Sequence, residues 1–451
     1  MMVSGLYLYK IYRFSFGRQM ALDHAQDKKA MRHPGASTPR GAIAMASASL
    51  PAELLLEIVA RSDAATFMRC AAACKSLRRD ILSPAFVRRV CRAPDGIFPA
   101  RLLGLLDKAF SSVHPATPAA VSFASNHLAP LVSRAAAGLL EQYKPVTSRG
   151  GLVLLERRGR AIDDRQQPRA ESHRADELCV YNPITGDRAF LPLPPDIGRD
   201  SIRGRHNYTY VLLTAADGIV GCSFLLLAAD MNRLNDPSGH CIRVQTVSSD
   251  AGGQWGPVTR ADTPRITWSD DVDGHKAGVV LGGVVHWLVY HGKCILTYDV
   301  MGTAKAGRIK LSKDHYQLYA CDCHLGSWPD GRLSLFGIEM FRVSVWVLCE
   351  GGWARHAAVE TMAALRSLLA PSEMRVTISG FCYYIQLVSY DDRRSGVALL
   401  WASKGGRGVG DYFVVDMETT EIHRIVGAGE MRGTLYEVDV PSWLSTMKAF
   451  D

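Results

Sequence analysis

The feature that most constrains this 451-residue chain is a change in hydrophobic period at Ser148-Arg149-Gly150-Gly151. Upstream of it, apolar residues recur at helical spacing. Downstream, almost to the C-terminus, they form short runs separated by Gly, Pro, Asn and Asp, and Asp330-Gly331 opens the clearest hairpin. Such runs are typical of strands joined by tight turns. A long series of them predicts an all-β sandwich, barrel or propeller.

Weak internal repetition favours the propeller among these folds. Two patterns recur after about a hundred residues, which corresponds to two kelch-sized blades of about fifty. The first is Gly252-Gly253-Gln254-Trp255 against Gly351-Gly352-Trp353, and the second is Gly282-Gly283 before His286-Trp287 against Gly380 before Tyr383-Tyr384. A third pattern, at a longer spacing, comprises Tyr181-Asn182, Tyr298-Asp299 and Val415-Asp416. The region from Gly150 to Val440 therefore has room for roughly six or seven four-stranded blades.

A different, helical pattern lies upstream, between Leu50 and Val90. Pro51 suits the first position of a helix, and Glu57 and Arg61 are an i,i+4 acid–base pair on its more polar side. Apolar residues trace two helical stripes, the second of which should end at Ser83-Pro84. The stripes comprise Leu50, Leu54, Leu55, Ile58 and Val59, then Phe67, Cys70, Cys74, Leu77 and Ile81. About forty residues in short helices bury too little surface to be stable alone, so these faces need a partner in this chain or another.

This stretch resembles an F-box. The family pattern has Leu-Pro, an acidic residue, a Leu-Leu-x-x-Ile helix, and a Cys-Lys-x-Leu/Trp-Arg helix ending near Pro-x-Phe. The matching residues here are Leu50-Pro51, Glu53, Leu54-Leu55, Ile58, Cys74-Lys75, Leu77-Arg78, Pro84 and Phe86. Leu77 stands where Trp is commoner in the family, and Ala73 where a larger Val is usual. The alternative interpretation is a helical hairpin packed on the downstream domain.

The strand-rich region also carries a resemblance, to the F-box-associated, kelch-related domains of plant F-box proteins. Those domains contain Asn-Pro-x-Thr-Gly followed by Leu-Pro, and Gly-x-x-x-Trp-Leu. The matching residues are Asn182-Pro183-Ile184-Thr185-Gly186 with Leu191-Pro192, and Gly283-Val284-Val285-His286-Trp287-Leu288. The resemblance covers most of the chain beyond residue 148 and implies a β-propeller-like domain.

Four segments are therefore predicted. Residues 1–45 are a disordered or mis-extended N-terminus, since Ala21 to Ala44 is polar and rich in small residues and Met45 is a natural start. The basic, aromatic Met1 to Met20 leaves an organelle-targeting segment as an alternative. An F-box-like domain at 46–92 and a helical neck at 93–147 follow, the neck with amphipathic helices over Arg101–Phe110 and Leu128–Tyr143. The propeller occupies 148–451.

Composition excludes several classes of partner. The 52 Lys and Arg against 44 Asp and Glu give a net charge of +8, which is mild for this length. The Arg residues are scattered without interleaved stacking aromatics, so we expect no nucleic-acid partner. No apolar run is long enough to span a membrane. The eleven Cys lack paired spacing, which fits a reducing cytoplasmic or nuclear location.

No constellation for catalysis is evident. The sequence has no Gly-x-Ser-x-Gly elbow, His-Glu-x-x-His pair or Gly-x4-Gly-Lys-Ser/Thr loop. Cys321-Asp-Cys323-His324 is the best metal candidate, but a closed zinc site needs a second pair of ligands and none is evident. His286, His291 and Cys294 cluster in sequence, and His286 belongs to the repeated blade pattern. We therefore expect no metal, no cofactor and no enzymatic activity.

The resemblance implies a non-catalytic adaptor. An F-box docks on a Skp-type adaptor of a cullin–RING ubiquitin ligase, and the propeller would present the substrate to an enzyme held elsewhere in the complex. Helix-in-groove docking predicts i, i+4 apolar anchors, although sequence does not separate partner-facing from interhelical positions. The predicted adaptor-binding residues are Leu50, Pro51, Leu54, Leu55, Ile58, Phe67 and Cys70. Two alternatives remain: a ligand- or sugar-binding propeller with a structural helical cap, and a scaffold that no longer engages an adaptor.

Overall fold

The structure is a computed structural model of the chain. It describes residues 51–62, 66–67, 70, 75–91, 101–106, 110–114, 118–136, 138–158, 178–195, 197, 208–231, 234, 240–264, 278–289, 294–302, 304–312, 323–328, 330–339, 342–368, 383–390, 396–404, 410–425 and 434–440. The predicted N-terminal segment 1–45 lies outside them. Every helix and strand described below belongs to one unit, Ala52–Arg158 with Glu171–Asp451.

The described residues of the first part of this unit include three short helices, which together with Phe67 and Cys70 are called here the N-terminal helical unit. The helices are α1 (Ala52–Ala60), α2 (Lys75–Ile81) and α3 (Pro84–Val90). Ser83 is extended, with φ −62° and ψ 140°, and its Oγ accepts a hydrogen bond from the backbone N–H of Phe86 at 3.4 Å. Pro84 opens α3, as its fixed φ and missing N–H favour. The prediction that Ser83-Pro84 ends the second helix is confirmed.

The prediction of a helix over Arg101–Phe110 is wrong. Arg101–Leu106 is strand β1, which pairs antiparallel with β2 (Phe110–His114) on one side and β23 (Thr434–Asp439) on the other. Leu102 and Leu106 lie in one apolar cluster, and Leu103 and Leu105 in another. Because both faces of the strand are buried, its sequence is a nearly continuous apolar run that periodicity does not distinguish from a helix.

Between β2 and Tyr143 the described residues of the predicted neck are mainly helical, and these helices lie beside this sheet. The helices are α4 (Pro118–Phe123), a π-helical turn (Ala124–Leu128), α5 (Ala129–Ala135) and α6 (Leu139–Gln142). Gly138, at φ 71°, separates α5 from α6. The long helix predicted from Leu128 to Tyr143 is thus two short ones, and Tyr143 already belongs to the first blade, ahead of the predicted boundary at 148.

Five four-stranded antiparallel sheets follow, here called blades 1 to 5. Blade 1 is β3 (Tyr143–Arg149), β4 (Leu152–Arg157), β5 (Leu178–Tyr181) and β6 (Arg188–Leu191). Blade 2 is β7 (Tyr208–Thr214), β8 (Phe224–Asp230), β9 (Cys241–Ser248) and β10 (Thr259–Asp262). Blade 3 is β11 (Val279–Leu281), β12 (Val284–Val289), β13 (Cys294–Asp299) and β14 (Ala306–Lys310).

Blade 4 is β15 (Cys323–Ser327), β16 (Leu333–Glu339), β17 (Arg342–Cys349) and β18 (Gly352–Glu360). After α7 (Met362–Leu368), blade 5 is β19 (Tyr383–Tyr390), β20 (Val397–Lys404), β21 (Gly410–Asp416) and β22 (Ile422–Ile425). None of the described helices is long and apolar enough to cross a membrane.

The first strands of successive blades contact one another, which makes the arrangement a propeller. Strand β3 contacts β7, β7 contacts β11, β11 contacts β15, and β15 contacts β19. Strand β23 contacts both β19 and β3, so the three-stranded sheet closes the ring from the two ends of the fold. Within the described residues the prediction of six or seven four-stranded blades is not matched, because there are five. Blades 1 to 3 begin at 143, 208 and 279, further apart than the assumed fifty residues.

The sequence repeats mark equivalent turns of alternate blades. Asn182, Asp299 and Asp416 each begin the turn between the third and fourth strands of blades 1, 3 and 5, and each side-chain oxygen accepts hydrogen bonds from backbone N–H groups two or three residues on. The Gly-Gly-Trp repeats lie at the same connection in blades 2 and 4, and in blade 4 Gly352 and Trp353 are the first residues of β18. The predicted two-blade spacing of the Gly-Gly-Trp pattern therefore agrees with the structure.

Each Trp of this repeat forms a hydrogen bond from its own blade to the preceding blade, and we call Trp255 and Trp353 the latch residues. The indole N–H of Trp255 donates to the carbonyl of Pro192, just after β6, at 2.9 Å, and that of Trp353 donates to Lys310, the end of β14, at 3.1 Å. Blade 2 is thus tied to the outermost strand of blade 1, and blade 4 to that of blade 3. The repeat joins neighbouring blades in pairs.

Replacing either latch residue with Phe keeps an aromatic ring but removes the indole N–H, and the lost hydrogen bond should lower the free energy of unfolding by about 0.5–1.5 kcal/mol. Urea unfolding of Trp255→Phe and Trp353→Phe measures the loss. Unchanged stability in both variants would contradict the assigned role.

One buried ion pair joins three blades at the ends of their first strands. Arg149, the last residue of β3, donates from Nε and Nη2 to the Asp217 carboxylate of blade 2 at 2.5–3.0 Å. Its Nη2 also donates to the carbonyl of Val280 in blade 3 at 3.0 Å. The two charged side chains are 10% and 5% exposed. Asp217 in turn accepts from the backbone N–H of Thr214 at 2.9 Å, which completes a capping box.

Candidate functional site

Helix α1 has apolar side chains on two faces, and only one of them is covered. Val59 is 3% exposed, and Leu56 and Ala60 pack against the same apolar cluster. On the other face, Leu54 is 51% exposed and Ile58 is 55% exposed. These two residues lie four apart, one helical turn, so their side chains are neighbours. The helix therefore presents an apolar surface to solvent, and we call Leu54 and Ile58 the α1 anchor pair.

Buried side chains of α2, α3 and Phe67 lie on the side of α1 that is turned away from the α1 anchor pair. Phe67 is fully buried, and its ring stacks on that of Phe86 with centroids 6.4 Å apart and planes 18° from parallel. Ile81 of α2 is also fully buried. Because large buried rings hold such small units together, the orientation of α1 depends on side chains that do not themselves reach the surface.

A charged pair on the same unit joins α1 to α3. The carboxylate of Glu57 accepts from Arg61, with the nitrogen and oxygen 2.8 Å apart, and from Arg89 of α3. The Arg89 hydrogen bond, followed by that of Arg61, holds the pKa of Glu57 below its ordinary value, against the effect of burial. The Arg61 pair was predicted from its i,i+4 spacing. Arg89 was not, because no sequence signal relates residues on two different helices.

The structure describes six of the seven predicted adaptor-binding residues and separates them by their exposure. Pro51, Leu54 and Ile58 are exposed, and Leu55 is half-buried. Phe67 is buried and Cys70 packs partly buried against the apolar cluster, so both occupy interhelical positions. Leu50 lies outside the described residues, as do Ala73 and Cys74 of the sequence pattern. Leu77, at the position where the F-box pattern more often has Trp, packs partly buried against the cluster.

The apolar cluster behind α1 is continuous with the propeller. It contains residues of all three parts of the fold. From the N-terminal helical unit come Val59, Phe67, Ile81, Phe86, Val87 and Val90; from α4 to α6, Phe123, Leu128, Val132 and Leu140; and from the sheets, Leu102, Leu106, Val153, Leu155, Tyr181 and Tyr436. The helical unit thus meets in this chain the partner that its small size requires. Its other surface, around the α1 anchor pair, stays exposed.

The residues considered for chemistry lie apart from this surface, in blades 3 and 4. His286 is buried in β12, and burial lowers its pKa. Cys294 is buried in β13, where burial raises its pKa to about 11. Cys323 is buried in β15, while Cys321 and His291 lie outside the described residues. In the part of the chain that is described, no three His, Cys, Asp or Glu side chains are grouped as metal ligands would be.

Two family models match the sequence. Residues 47–93 match the model described as F-box-like, and residues 110–450 match the model described as a domain of unknown function, DUF7595. The first segment contains α1 to α3, and the second extends from β2 to the end of the ring. The sequence matches no curated protein significantly.

The solved structures that match the chain have low sequence identity and low TM-scores. A functionally unknown protein from Desulfotomaculum acetoxidans is 10% identical with a TM-score of 0.31, covering 65% of this chain and 74% of its own. A Lactobacillus plantarum protein is 9% identical with a TM-score of 0.31, covering 65% and 87%. Prolyl oligopeptidase B from Galerina marginata is 11% identical with a TM-score of 0.29, covering 65% and 34%. Similarity at this level carries no information on activity.

Proposed function

The chain belongs to the DUF7595 family and carries an F-box-like segment ahead of that domain, and from this premise we propose that it is the substrate-recognition subunit of a Skp–cullin–F-box ubiquitin ligase. The N-terminal helical unit binds a Skp-type adaptor, and through it a cullin. The propeller binds the protein to be ubiquitinated. The chain itself supplies no catalytic residue and works in the cytoplasm, the nucleus or both.

The observation that carries this proposal is the α1 anchor pair. F-box domains in general bind Skp-type adaptors, and an amphipathic helix docks into an apolar groove by side chains spaced one turn apart. Leu54 and Ile58 have that spacing and are both about half exposed. Exposing large apolar side chains to water is unfavourable. Burying them in a partner's groove is favourable by about 25 cal/mol per Å² of apolar surface removed from water.

The shared apolar cluster supports a fixed geometry between the adaptor-binding surface and the substrate-binding propeller. A ligase subunit acts by proximity, holding a substrate near an enzyme on another chain. That effect requires a fixed geometry between the adaptor site and the substrate site. One continuous core runs from α1 to α3 through α4 to α6 into blade 1 and β23, and close-packed interiors deform little. The helical unit is therefore a rigid extension of the propeller.

Affinity purification of the full chain tests the proposal. We expect a Skp-type adaptor to co-purify in stoichiometric amount, with a cullin present in the same complex. Purified adaptor should bind the purified full chain directly in a calorimetric titration. If the folded chain binds no adaptor in either assay, the helical unit is a structural cap, and the ligand- or sugar-binding propeller becomes the better account.

A further inference from the structure

Two kinds of turn lie together at one end of the propeller. In each blade these are the turn between the first and second strands and the turn between the third and fourth. In blade 3 the N–H of Val300 donates to the carbonyl of Gly283 at 3.1 Å, and in blade 5 that of Met417 donates to Gly396 at 2.9 Å. In blade 2 the N–H of Ser223 donates to Ser249 Oγ at 2.9 Å. We call this end the turn face.

The apolar core between blades 2 and 3 reaches the surface on the turn face. Ile219 is buried in that core and Val300 packs against it. The next residue in each turn points outward: Val220 is 92% exposed and Met301 is 48% exposed. Val220 follows Ile219 in the β7–β8 turn and Met301 follows Val300 in the β13–β14 turn, so both exposed side chains stand on the turn face next to residues of the core between blades 2 and 3. We call them the turn-face patch.

Among the described residues, the charge of the turn face is opposite in sign to that of the chain. The exposed charged residues of its turns and the positions directly beside them are Asp187, Asp250, Glu350, Glu418 and Glu421 against Arg188 and Lys305, five acids and two bases. Asp217 and Asp330 are already paired, with Arg149 and Arg332. The chain as a whole is at +8. Asp250 stands beside the patch, because Ser249 Oγ donates to its carboxylate at 2.8 Å and also accepts from Ser223 N–H in the Val220 turn.

We propose that the turn face docks a basic segment of a partner protein, rich in Lys and Arg, that inserts an apolar side chain at the turn-face patch. The acidic turns attract and orient the segment, since complementary potentials govern encounter and partner choice. The patch supplies the anchor, since covering an exposed apolar side chain with a partner's surface removes it from water and is favourable. Under the proposed function this segment belongs to the protein that is ubiquitinated. The identification of the partner as a substrate rests on the proposed function.

A synthetic array of equal-length labelled peptides, varying net charge and the number of Leu and Phe residues independently, tests the docking. Binding to the full chain is measured by fluorescence anisotropy. We expect binding only by peptides that are both basic and apolar, and weakening at higher salt. The double variant Val220→Ser/Met301→Ser should lose about tenfold or more in affinity, as expected on removing one buried apolar anchor. Asp250→Lys/Glu350→Lys should lose a similar amount.

Matched controls lie elsewhere on the surface. Val121 of α4 is an exposed valine and Glu339 at the end of β16 is an exposed acid, so Val121→Ser and Glu339→Lys should bind as the unchanged chain does. The proposal is overturned if no peptide class binds, if basic peptides bind equally without apolar residues, or if the patch variants bind normally. Adaptor binding is measured on the same proteins. Turn-face variants should keep it and Leu54→Ala/Ile58→Ala should keep peptide binding, so failure of one proposal is distinct from failure of the other.

Discussion

Replacing Leu54 and Ile58 together with Ala should weaken adaptor binding by about ten- to a hundredfold and change the melting temperature of the chain only slightly. Fully burying such a side chain contributes about 1.5–3 kcal/mol, and about half of each is still exposed in the free chain, so docking gains about 0.8–1.5 kcal/mol per residue. The pair is then worth about 1.5–3 kcal/mol, and each 1.4 kcal/mol corresponds to tenfold in affinity. Stability should change little, because neither side chain packs against the apolar cluster and Ala is a better helix former than Leu or Ile.

The covered face of α1 offers the matched control. Val59→Ala removes methyl groups from the apolar cluster and should lower the free energy of unfolding by about 1–2 kcal/mol, with adaptor affinity unchanged in whatever fraction stays folded. Calorimetric titration and a thermal melt of each variant separate the two effects. If Leu54→Ala/Ile58→Ala binds the adaptor as tightly as the unchanged chain, the α1 anchor pair is not the docking surface.

The N-terminal helices could be predicted from sequence because their signals are local. Apolar spacing, the Ser83-Pro84 break and the Glu57–Arg61 pair all act within one or two turns of helix. The direction in which each apolar residue faces could not be predicted. Nearly every position from Leu54 to Val59 is apolar, so the stripe is wide, and tertiary packing alone decides that Val59 faces the core while Ile58 faces water.

The wrong prediction of a helix at Arg101–Leu106 has a non-local cause. The strand is held by β23, which lies at the other end of the sequence, and by β2. No local pattern encodes pairing over that separation, and burial of both faces removes the alternation by which a strand is recognised. The blade count failed for a related reason: connections of unequal length change the number of residues per blade without leaving a periodic signal.

For the repeated residues, the sequence predicts contacts with nearby residues but not contacts with another blade. The turn residues Asn182, Asp299 and Asp416 could be found because their side chains bond to the next few backbone groups. The role of Trp255 could not, because its acceptor at Pro192 lies in the preceding blade. Sequence thus locates the repeated residue, and the ring supplies its partner.

The Arg149–Asp217 pair should be the most sensitive point of the ring, because removing one member of a buried ion pair leaves the other charge unpaired away from water. Arg149→Met is expected to lower the free energy of unfolding by about 3–5 kcal/mol. The guanidinium also bonds to the Val280 carbonyl, so hydrogen exchange should quicken in β3, β7 and β11 together, and remain slow in β20 on the far side of the ring.

Restoring neutrality should recover most of that loss. Arg149→Met/Asp217→Asn removes both charges and keeps a side-chain oxygen to accept the Thr214 N–H, so the capping box is partly retained. Exposed pairs contribute only about 0–1 kcal/mol, which makes Lys144→Met, whose partner is Glu156 at 2.8 Å on the surface of blade 1, the matched control. Urea unfolding of the three variants measures the differences. If Arg149→Met costs no more than Lys144→Met, the ring does not depend on this pair, and the packing between blades alone holds the first three together.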